Sequence, residues 1–268
     1  MIKICSYNCN SINLRMDVIK YLYEIGVDVV CLQETKVRDD KFPYLEIQNI
    51  GYENIIQSGD GGQSGVAALS KIKIKEINKM QIANAGKRHI HFEIQNKTQN
   101  INIHNFYIPA GGDEPDVLIN SKFKQKLEYI NELIDYFSKN TTNTILLGDL
   151  NIAPLENDVY NHKKLLKEVS HSPIEIDIMQ KWINKGNFVD IARAVVPENQ
   201  KLYSWWSYRV KDSYLKDYGR RLDHIWCTKD LENTINKFEI LKECRTWNRP
   251  SDHVPVVCEF NFEKSLVI

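Results

Sequence analysis

The clearest structural signal in the chain is Thr144-Ile145-Leu146-Leu147-Gly148-Asp149-Leu150-Asn151. Four apolar or β-branched residues in a row predict a strand buried on both faces, and Gly148 breaks this apolar run. Pro154 then prevents regular structure from continuing at once. If the backbone stays extended, the carboxylate of Asp149 and the amide of Asn151 point the same way, which suits holding a water or a metal. A strand followed by an Asx-type turn explains the octapeptide equally well.

The first part of the chain predicts the same arrangement, a buried strand that ends in polar residues. Strands are expected at 1–7 and 27–32 and a helix at 15–25, which gives a βαβ-like unit. Asn8 follows the first strand and Glu34 the second. Because these strand ends lie at one edge of the sheet, we expect the two side chains to approach each other.

Composition predicts an ordinary globular protein. The 268 residues are 43% hydrophobic and 26% charged, and a chain of this length can bury a stable core without disulfides or structural metals. Lys plus Arg and Asp plus Glu number 35 each, so the zero net charge argues against a polycation that coats nucleic acid non-specifically. It still permits an acidic metal pocket inside a basic rim. We find no low-complexity linker and predict one domain, residues 1–268.

The six cysteines indicate a reducing compartment. None forms a Cys-x-x-Cys pair, and Cys5, Cys31, Cys227 and Cys258 lie in apolar strand-like runs, which favours reduced core thiols over disulfides. The N-terminus enters the first strand without a basic-then-apolar leader, and no apolar run approaches 18 residues. We therefore expect a soluble cytoplasmic protein that does not contact membranes.

A hairpin is expected in the middle of the chain. His89-Ile90-His91-Phe92-Glu93-Ile94 alternates strictly and pairs with 101–106 across a turn at Asn96-Lys97. His89 and His91 share one face of the first strand. Their spacing could bind a metal, but no third ligand is evident nearby, so we expect this face to be exposed.

The region 117–137 predicts the longest helix. Its apolar stripe is expected to cover a sheet, with Lys126 among the charged residues on the solvent side. The strand that ends in Asp149 follows directly, so the helix and strand repeat the pattern that ended at Glu34.

Polar residues able to bind a metal or activate water recur at the predicted strand ends: Asn8, Glu34, Tyr107, Asp149, Asn151, Asp223, Asp252 and His253. Oxygen ligands from Glu34, Asp252 and Asn8 suit Mg²⁺ or Mn²⁺, and no thiol cluster indicates zinc. Asp223 could orient an imidazole at His253 and keep it charged.

Six phrases occur in order along the chain: Tyr7-Asn8-Cys9-Asn10, Leu32-Gln33-Glu34-Thr35, Tyr107-Ile108-Pro109-Ala110-Gly111, Gly148-Asp149-Leu150-Asn151, Arg221-Leu222-Asp223-His224 and Ser251-Asp252-His253. Each is weak alone, but the ordered set resembles the signature of the bacterial exonuclease III and apurinic/apyrimidinic endonuclease family, within the endonuclease/exonuclease/phosphatase superfamily. The resemblance implies an α/β fold, a four-layer sandwich of two packed mixed β-sheets flanked by helices.

The resemblance also implies a metal site. Glu34 would be the principal Mg²⁺ ligand, with Mn²⁺ able to replace Mg²⁺, and Asn8 and Asp252 would lie close to the metal. Asp149 and Asn151 would complete the surroundings of the ion and of the water beside it.

The catalytic roles are implied in the same way. Asp149 would orient and deprotonate the attacking water, and Asn151 would help to hold it. His253, charged and oriented by Asp223, would stabilise phosphate oxygens. Tyr107 would contact the scissile phosphate or the leaving group.

The implied substrate is duplex DNA, degraded from 3′ ends, cleaved 5′ to abasic sites and freed of blocked 3′ ends by a monomeric enzyme. Tyr203-Ser204-Trp205-Trp206-Ser207-Tyr208-Arg209 resembles the family segment that shapes the pocket, which assigns DNA contacts to Trp205, Trp206 and Arg209. Burial of both tryptophans in the core is the alternative. Two residues depart from the family pattern: Arg220 stands where some relatives carry a pocket tryptophan, and Ala110 replaces a longer polar side chain. The resemblance therefore does not specify the wall of the pocket.

Two other classes of protein remain as alternatives. One is a phosphoesterase of the superfamily that acts on inositol phosphates, sphingomyelin or RNA. The aromatic and basic segment at 203–209 discriminates against this class and favours a DNA substrate. The other is a non-catalytic binding protein, which could lose its metal ligands, whereas every matched position here carries a chemically competent side chain.

Overall fold

Fourteen strands and six α-helices lie in the part of the chain that the computed structural model describes, residues 1–77, 86–95, 99–139 and 141–262. The strands are β1 (Ile2–Asn8), β2 (Val29–Gln33), β3 (Asn54–Ser58), β4 (Val66–Ser70), β5 (Ile74–Ile77), β6 (His89–Gln95), β7 (Asn100–Tyr107), β8 (Thr144–Asp149), β9 (Phe188–Asp190), β10 (Trp205–Trp206), β11 (Gly219–Arg220), β12 (Asp223–Thr228), β13 (Ile235–Ile240) and β14 (Val256–Phe260). The helices are α1 (Met16–Glu24), α2 (Tyr44–Ile50), α3 (Ser121–Phe137), α4 (His162–Leu165), α5 (Pro173–Lys185) and α6 (Ile191–Val195).

The strands form two six-stranded sheets and a small ribbon of β10 and β11. The first sheet has the order β13-β14-β1-β2-β4-β3, and the second has the order β5-β6-β7-β8-β12-β9. Each sheet is mixed, because β1 and β2 are parallel in the first and β7 and β8 are parallel in the second. Helix α1 connects the first parallel pair and α3 precedes β8 in the second, so the two halves repeat one arrangement.

The two sheets pack face to face, and helices cover their outer surfaces. Ile4 and Cys31 of the first sheet and Ile103 and Ile145 of the second are fully buried in the core between the sheets. A second core lies between the first sheet and helices α1 and α2, and a third lies between the second sheet and helices α3 and α5. The predicted four-layer α/β sandwich is confirmed.

Strand β8 continues through Gly148 to Asp149, which confirms the prediction of a strand that ends in Asp149. Gly148 has a φ of +139°, and a Cβ atom there would lie 1.9 Å from the carbonyl oxygen of Phe106 in β7. Only glycine permits this close approach between parallel neighbours. The strand therefore delivers Asp149 to the sheet edge in register with Tyr107.

Helix α3 begins at Ser121, later than predicted, because Asn120 caps it by accepting hydrogen bonds from two backbone N–H groups of the first turn. The apolar stripe packs on the second sheet as expected. The prediction that Lys126 faces solvent is wrong. Its side chain is fully buried, and its Nζ lies 2.5 Å from Oε1 of Glu175 in α5.

The histidine face of the hairpin is also buried, which corrects the expectation of an exposed face. His89, His91 and His104 lie where α3 covers the second sheet. The rings of His91 and His104 stack with centroids 3.9 Å apart, and His104 meets the edge of Phe137 from α3 at 5.0 Å. Burial lowers the pKa of His104 well below its ordinary value, so this imidazole is neutral at pH 7. The turn expected at Asn96-Lys97 lies outside the described residues.

The cysteines behave as the sequence predicts. All six are buried and free, which confirms the expectation of reduced core thiols. In the described part of the chain, no helix combines the length and the apolar character that crossing a membrane requires.

Candidate active site

Asn8 joins the two sheets at the strand ends. It is fully buried, and its Nδ2 donates hydrogen bonds to Oε1 of Glu34 (3.0 Å) and to Oδ2 of Asp149 (2.8 Å). Glu34 follows β2 of the first sheet, whereas Asp149 ends β8 of the second. Three residues predicted from separate strand ends therefore meet in one place.

Glu34 is held in a left-handed backbone conformation, with a φ of +51°. This conformation costs about 1 to 3 kcal/mol in a residue other than glycine and persists where surrounding contacts enforce it. Lys36 supplies such contacts, because its Nζ lies 2.8 Å from Oε2 of Glu34 and donates to Oδ1 of Asn10 at 2.6 Å. Lys36 is not among the predicted site residues, and Asn10 is predicted only as part of the phrase Tyr7-Asn8-Cys9-Asn10.

A series of polar contacts runs from Asp223 through His253 to Asp149. Nδ1 of His253 lies 2.8 Å from Oδ2 of Asp223, and Nε2 lies 3.7 Å from Oδ2 of Asp149. Ser204, which the sequence analysis also missed, donates its hydroxyl to Oδ2 of Asp223 at 2.6 Å. The two contacts on Asp223 fix the imidazole so that Nε2 faces Asp149.

The charges of this series follow from burial and from the neighbouring groups. Burial raises the pKa of Asp149 to about 7, opposed by His253 and Asn8 and reinforced by the carboxylates of Asp223 and Glu34. Burial disfavours protonation of His253, but Asp223 and Asp149 outweigh it and raise the pKa of the imidazole to about 10. The site therefore holds a cationic histidine beside a carboxyl group that titrates near neutral pH.

Asn151 lies in a turn that also orients Asp149. Its φ is +53°, its backbone N–H donates to Oδ1 of Asp149 at 3.0 Å, and its Nδ2 donates to the carbonyl oxygen of Ile108 at 2.8 Å. The Asx turn proposed as the plain alternative is therefore present. It coexists with a role in the site, because the turn itself fixes the Asp149 carboxylate.

Asp252 is fixed by two side chains on opposite sides. Oδ1 accepts a hydrogen bond from Nδ2 of Asn10 at 2.9 Å, and Oδ2 accepts one from Nε1 of Trp205 at 3.0 Å. Burial acts to raise the pKa of Asp252, but His253 and these two hydrogen bonds outweigh it and lower the pKa. Asp252 is thus an ionised carboxylate at neutral pH.

Tyr107 reaches the same site from the end of β7. It is largely buried, and the guanidinium of Arg88 lies 4.5 Å from the centre of its ring. Burial, together with the negative charges of Glu34 and Asp149, raises the pKa of Tyr107 well above its ordinary value. The phenol therefore stays protonated and can donate a hydrogen bond.

A cleft of about 810 Å³ is lined by six of these residues: Glu34, Tyr107, Asp149, Asn151, Asp252 and His253. Its floor contains the carboxylates of Glu34, Asp149 and Asp252. Cationic and aromatic side chains predominate in the rest of the lining, which also includes Asp113 and Glu168: Lys122, Lys164, Arg209, Arg220, Tyr160, Trp205, Tyr208 and Tyr218. An acidic floor inside a basic and aromatic rim is the arrangement that the neutral net charge permitted.

The sequence profile of the Endonuclease/Exonuclease/phosphatase family matches residues 5–253. The chain belongs to this family. An exodeoxyribonuclease III of Haemophilus influenzae is 31% identical over 271 residues, which cover 96% of this chain and 99% of the relative. A DNA-(apurinic or apyrimidinic site) endonuclease of Dictyostelium discoideum is 29% identical over 259 residues, which cover 95% of this chain and 69% of the relative.

Solved structures of family members share the fold. An AP endonuclease from Archaeoglobus fulgidus has a TM-score of 0.88 and 31% identity, with 97% of this chain and 100% of that chain covered. A 3′ phosphatase from Neisseria, bound to product DNA hairpin, has a TM-score of 0.87 and 28% identity, with 97% and 99% covered. The predicted family resemblance and the prediction of a nuclease hydrolase are confirmed.

The two tryptophans assigned to DNA contact occupy different environments in this family member. Trp205 is half-buried and lines the cleft, whereas Trp206 is fully buried and packs against Tyr214 with ring centroids 5.0 Å apart. The prediction that Trp206 contacts the substrate is therefore wrong for this structure. Successive residues of a strand face opposite ways, so only one residue of β10 can face the cleft. Arg209 is exposed at the rim, where its DNA contact stays a prediction.

Arg220 forms the wall beside Trp205, with its guanidinium 5.5 Å from the indole. Nη1 donates to the carbonyl oxygen of Val169 at 2.9 Å, and Nη2 pairs with Oε2 of Glu168 at 2.6 Å. The residue that departs from the family pattern is thus held in place by several contacts. Ala110, the other departure, also lines the cleft.

The cleft has a donor set that fits a hard divalent cation. Among the described residues, the His, Cys, Asp and Glu side chains whose ligand atoms all lie within 4.8 Å of one another are Asp149, Asp223 and His253. A protonated His253 repels a cation, so the carboxylates nearby are the better donors, and oxygen donors suit Mg²⁺ or Mn²⁺. The family member therefore has a possible acidic metal site. The assignment of Glu34 and Asp252 as ligands stays a prediction.

Proposed function

We propose that the protein is a Mg²⁺-dependent DNA repair nuclease, with Mn²⁺ able to replace Mg²⁺. It degrades duplex DNA from 3′ ends, cleaves the phosphodiester 5′ to abasic sites and removes blocking groups from 3′ ends. The observation that carries the proposal is the contact series of Asp223, His253 and Asp149 beside Asn8 and Glu34, inside a basic and aromatic rim. The names of the relatives support DNA as the substrate.

In the proposed reaction, Asp149 accepts a proton from the attacking water. A general base works best when its pKa lies near the working pH, and the pKa of Asp149 is about 7. Asn8 and the backbone N–H of Asn151 hold the carboxylate in one orientation. The side chain of Asn151 lies beside it and helps to hold the water.

His253 supplies a positive charge for the phosphate oxygens. Its pKa of about 10 keeps the imidazole protonated at neutral pH, and Asp223 occupies Nδ1. Nε2–H is then the group that donates to a non-bridging oxygen as negative charge grows on it. Tyr107, a neutral phenol at the same floor, donates to the phosphate or to the leaving oxygen.

The proposed metal site consists of Glu34, with Asn8 and Asp252 nearby and with Asp149 and Asn151 completing its surroundings. A bound Mg²⁺ would neutralise negative charge on the phosphate and on the leaving oxygen. In this structure Lys36 contacts Oε2 of Glu34 and Asn8 donates to Oε1, and together they hold the carboxylate in one orientation.

Trp205 and Arg209 are the proposed substrate contacts at the rim. The indole offers an apolar face for a baseless sugar, and Arg209 binds backbone phosphate. We further propose that the chain is one domain, acts as a monomer in the cytoplasm and has no membrane partner. The buried Trp206 supports the pocket from behind.

The deciding experiment is cleavage of a labelled duplex that contains one abasic-site analogue, with Mg²⁺ and with EDTA. We expect Mg²⁺-dependent incision 5′ to the lesion. Shortening from the 3′ end without incision would restrict the proposal to the exonuclease, with Arg220 as the first suspect for the altered pocket. Neither product from folded protein would contradict the proposal and favour the phosphoesterase or binding-protein alternatives.

A further inference from the structure

Three consecutive backbone carbonyl groups follow Asp149, and each accepts a hydrogen bond from a different buried basic side chain. Nζ of Lys126 donates to the carbonyl oxygen of Asn151 at 2.8 Å. Nε2 of His224 donates to the carbonyl oxygen of Ile152 at 2.8 Å, and Nδ1 of His171 donates to that of Ala153 at 2.6 Å. All three basic side chains have no exposed surface.

The donors come from three separate parts of the fold. Lys126 belongs to α3, His224 belongs to β12, and His171 precedes α5. Lys126 also donates to the carbonyl oxygen of Ala110 at 3.3 Å, so it contacts the loop after Tyr107 as well. Three elements therefore converge on one stretch of backbone.

The hydrogen-bonding role of each donor follows from its partners. Glu175 is fully buried and pairs with Lys126, which compensates the buried ammonium charge. Because a carbonyl oxygen only accepts, His224 must carry its proton on Nε2, and its Nδ1 is then free to accept from Arg221 at 3.1 Å. The same reasoning places the proton of His171 on Nδ1.

The fixed backbone is the part of the site that needs support. Asn151 has a left-handed φ of +53°, and its N–H donates to Oδ1 of Asp149 at 3.0 Å. Rotation of the peptide planes after Asp149 would break this hydrogen bond and turn the carboxylate. A displacement of about 1 Å in a reacting group can lower a rate about 100-fold.

We propose that Lys126, His224 and His171 form a carbonyl clamp that holds the backbone of residues 151–153 and thereby positions Asp149 and Asn151 for catalysis. They are positioning residues, since none of them lines the cleft. The effect of the clamp on catalysis rests on the proposed function, whereas the hydrogen bonds of the clamp to the backbone do not depend on it.

The cleanest test is a matched pair at His171. His171→Asn keeps a donor near the position of Nδ1, and His171→Leu removes it. The other partner of His171 is Nδ1 of His162, a partly exposed residue that water can satisfy. Lys126→Met combined with Glu175→Gln removes the first donor without leaving a buried charge unpaired, and Lys126→Arg retains a donor.

Two quantities are measured for each variant. The first is hydrogen–deuterium exchange of the peptide that spans 149–153, where the amide of Leu150 donates to Leu222 and that of Ala153 donates to Ser170. The second is kcat on the abasic duplex at saturating Mg²⁺, beside the Kd for DNA in EDTA. His104→Gln serves as the control, because this buried histidine lies on the outer face of the second sheet.

We expect the donor-removing variants to exchange faster at 149–153 and to lose kcat about 10- to 100-fold with the Kd for DNA within about threefold. The donor-retaining variants should recover most of both losses, and His104→Gln should change neither. Unchanged exchange in folded donor-removing variants, or equal losses in His171→Asn and His171→Leu, would overturn the clamp. If the wild-type protein shows no nuclease activity, the proposed function fails, and the exchange data still decide the clamp.

Discussion

At the residue scale, Asp149 carries the proposed proton transfer. We expect Asp149→Asn to keep the fold and DNA binding while kcat falls by about three orders of magnitude or more, because an amide cannot accept the proton. Burial already raises the pKa of Asp149 to about 7, so a neutral side chain is tolerated there. Near-wild-type turnover, measured under single-turnover conditions beside the Kd for DNA, would remove Asp149 from the role of base.

Trp205 has two separable contributions, an aromatic face toward the cleft and an N–H bonded to Asp252. Stacking on one base or sugar contributes about 1 to 3 kcal/mol, so Trp205→Ala should lower kcat/KM for abasic cleavage about 5- to 150-fold, with Mn²⁺ affinity little changed. Trp205→Phe keeps the ring and loses the N–H. If the Phe variant is as impaired as the Ala variant, Trp205 acts through Asp252. An unaltered preference between abasic and intact duplex in Trp205→Ala would assign Trp205 to packing.

Individual residues show where the sequence analysis succeeds and where it stops. Asn8, Glu34 and Asp149 could be found because each lies at the end of an apolar strand, and the parallel pair β1 and β2 brings Asn8 and Glu34 to one edge. Trp205 and Trp206 could not be told apart, because a two-residue strand has no longer alternation to show which face is inward. Lys36 could not be predicted as a site residue, because lysine is common on any protein surface.

At the element scale, the approach of β7 and β8 depends on Gly148. A Cβ atom there would lie 1.9 Å from the carbonyl oxygen of Phe106, so Gly148→Ala must push the strands apart, and we expect a loss of about 2 to 4 kcal/mol in the free energy of unfolding. Gly26→Ala is the matched control. Its φ is also positive, at +83°, but no atom beyond the chain neighbours lies within 4 Å of the added Cβ, so the substitution should cost about 1 kcal/mol. If urea unfolding gives equal losses of stability for Gly148→Ala and Gly26→Ala, the positive φ alone, and not the close approach to β7, decides both losses.

Elements are also joined by a buried ionic network. Nε and Nη2 of Arg221 contact both carboxylate oxygens of Asp158, at 2.9 and 2.8 Å, and Arg193 pairs with Asp158 as well. Breaking a buried pair costs about 3 to 5 kcal/mol, which is the loss expected at pH 7 for Asp158→Asn. Burial acts to raise the pKa of Asp158, but the two guanidinium groups outweigh it and lower the pKa.

The sign of the pH dependence follows from that lowered pKa. Asp158 binds protons more weakly in the folded than in the unfolded chain, where its pKa is about 3.9. Its stabilisation is therefore complete above about pH 4 and is lost as the pH falls through the lower, folded value. The gap in unfolding free energy between wild type and Asp158→Asn should stay constant from pH 7 to 5 and narrow below about pH 4. Asp177→Asn, an exposed change in α5, should show no gap, and closure of the Asp158 gap by pH 6 would contradict the assignment.

Burial explains the element-scale errors of the sequence analysis. The alternation in β6 predicted a strand correctly, yet α3 covers the face that carries His89 and His91. A polar face is expected to be exposed to solvent unless its groups find hydrogen-bond partners. Here His89 bonds His104, and His91 bonds Asn102. Lys126 followed the same rule, because its partner Glu175 is 49 residues away in sequence and invisible to local periodicity.

At the scale of the whole molecule, the site exists because two sheets meet with their strand ends aligned. Glu34 comes from one sheet and Asp149 from the other, and a buried polar network sets their separation. Nδ2 of Asn105 in the second sheet donates to the carbonyl oxygens of Leu32 and Ala67 in the first, at 3.0 and 3.1 Å. The stacking of two sheets could be expected only through the family resemblance, since no local pattern specifies which apolar faces meet.

Asn105→Leu therefore tests whether this network aligns the site. Asn105 also accepts from Nε2 of Gln33 at 2.7 Å, next to Glu34, and each orphaned buried group costs about 1 to 3 kcal/mol. We expect a loss of about 2 to 4 kcal/mol in the free energy of unfolding and a fall in kcat that exceeds any change in DNA affinity. Asn102→Leu, on the outer face of the same strand and partly exposed, should cost less than about 1 kcal/mol and spare kcat. If Asn105→Leu lowers stability but leaves kcat at the wild-type value, the network holds the sheets together without aligning Glu34 with Asp149.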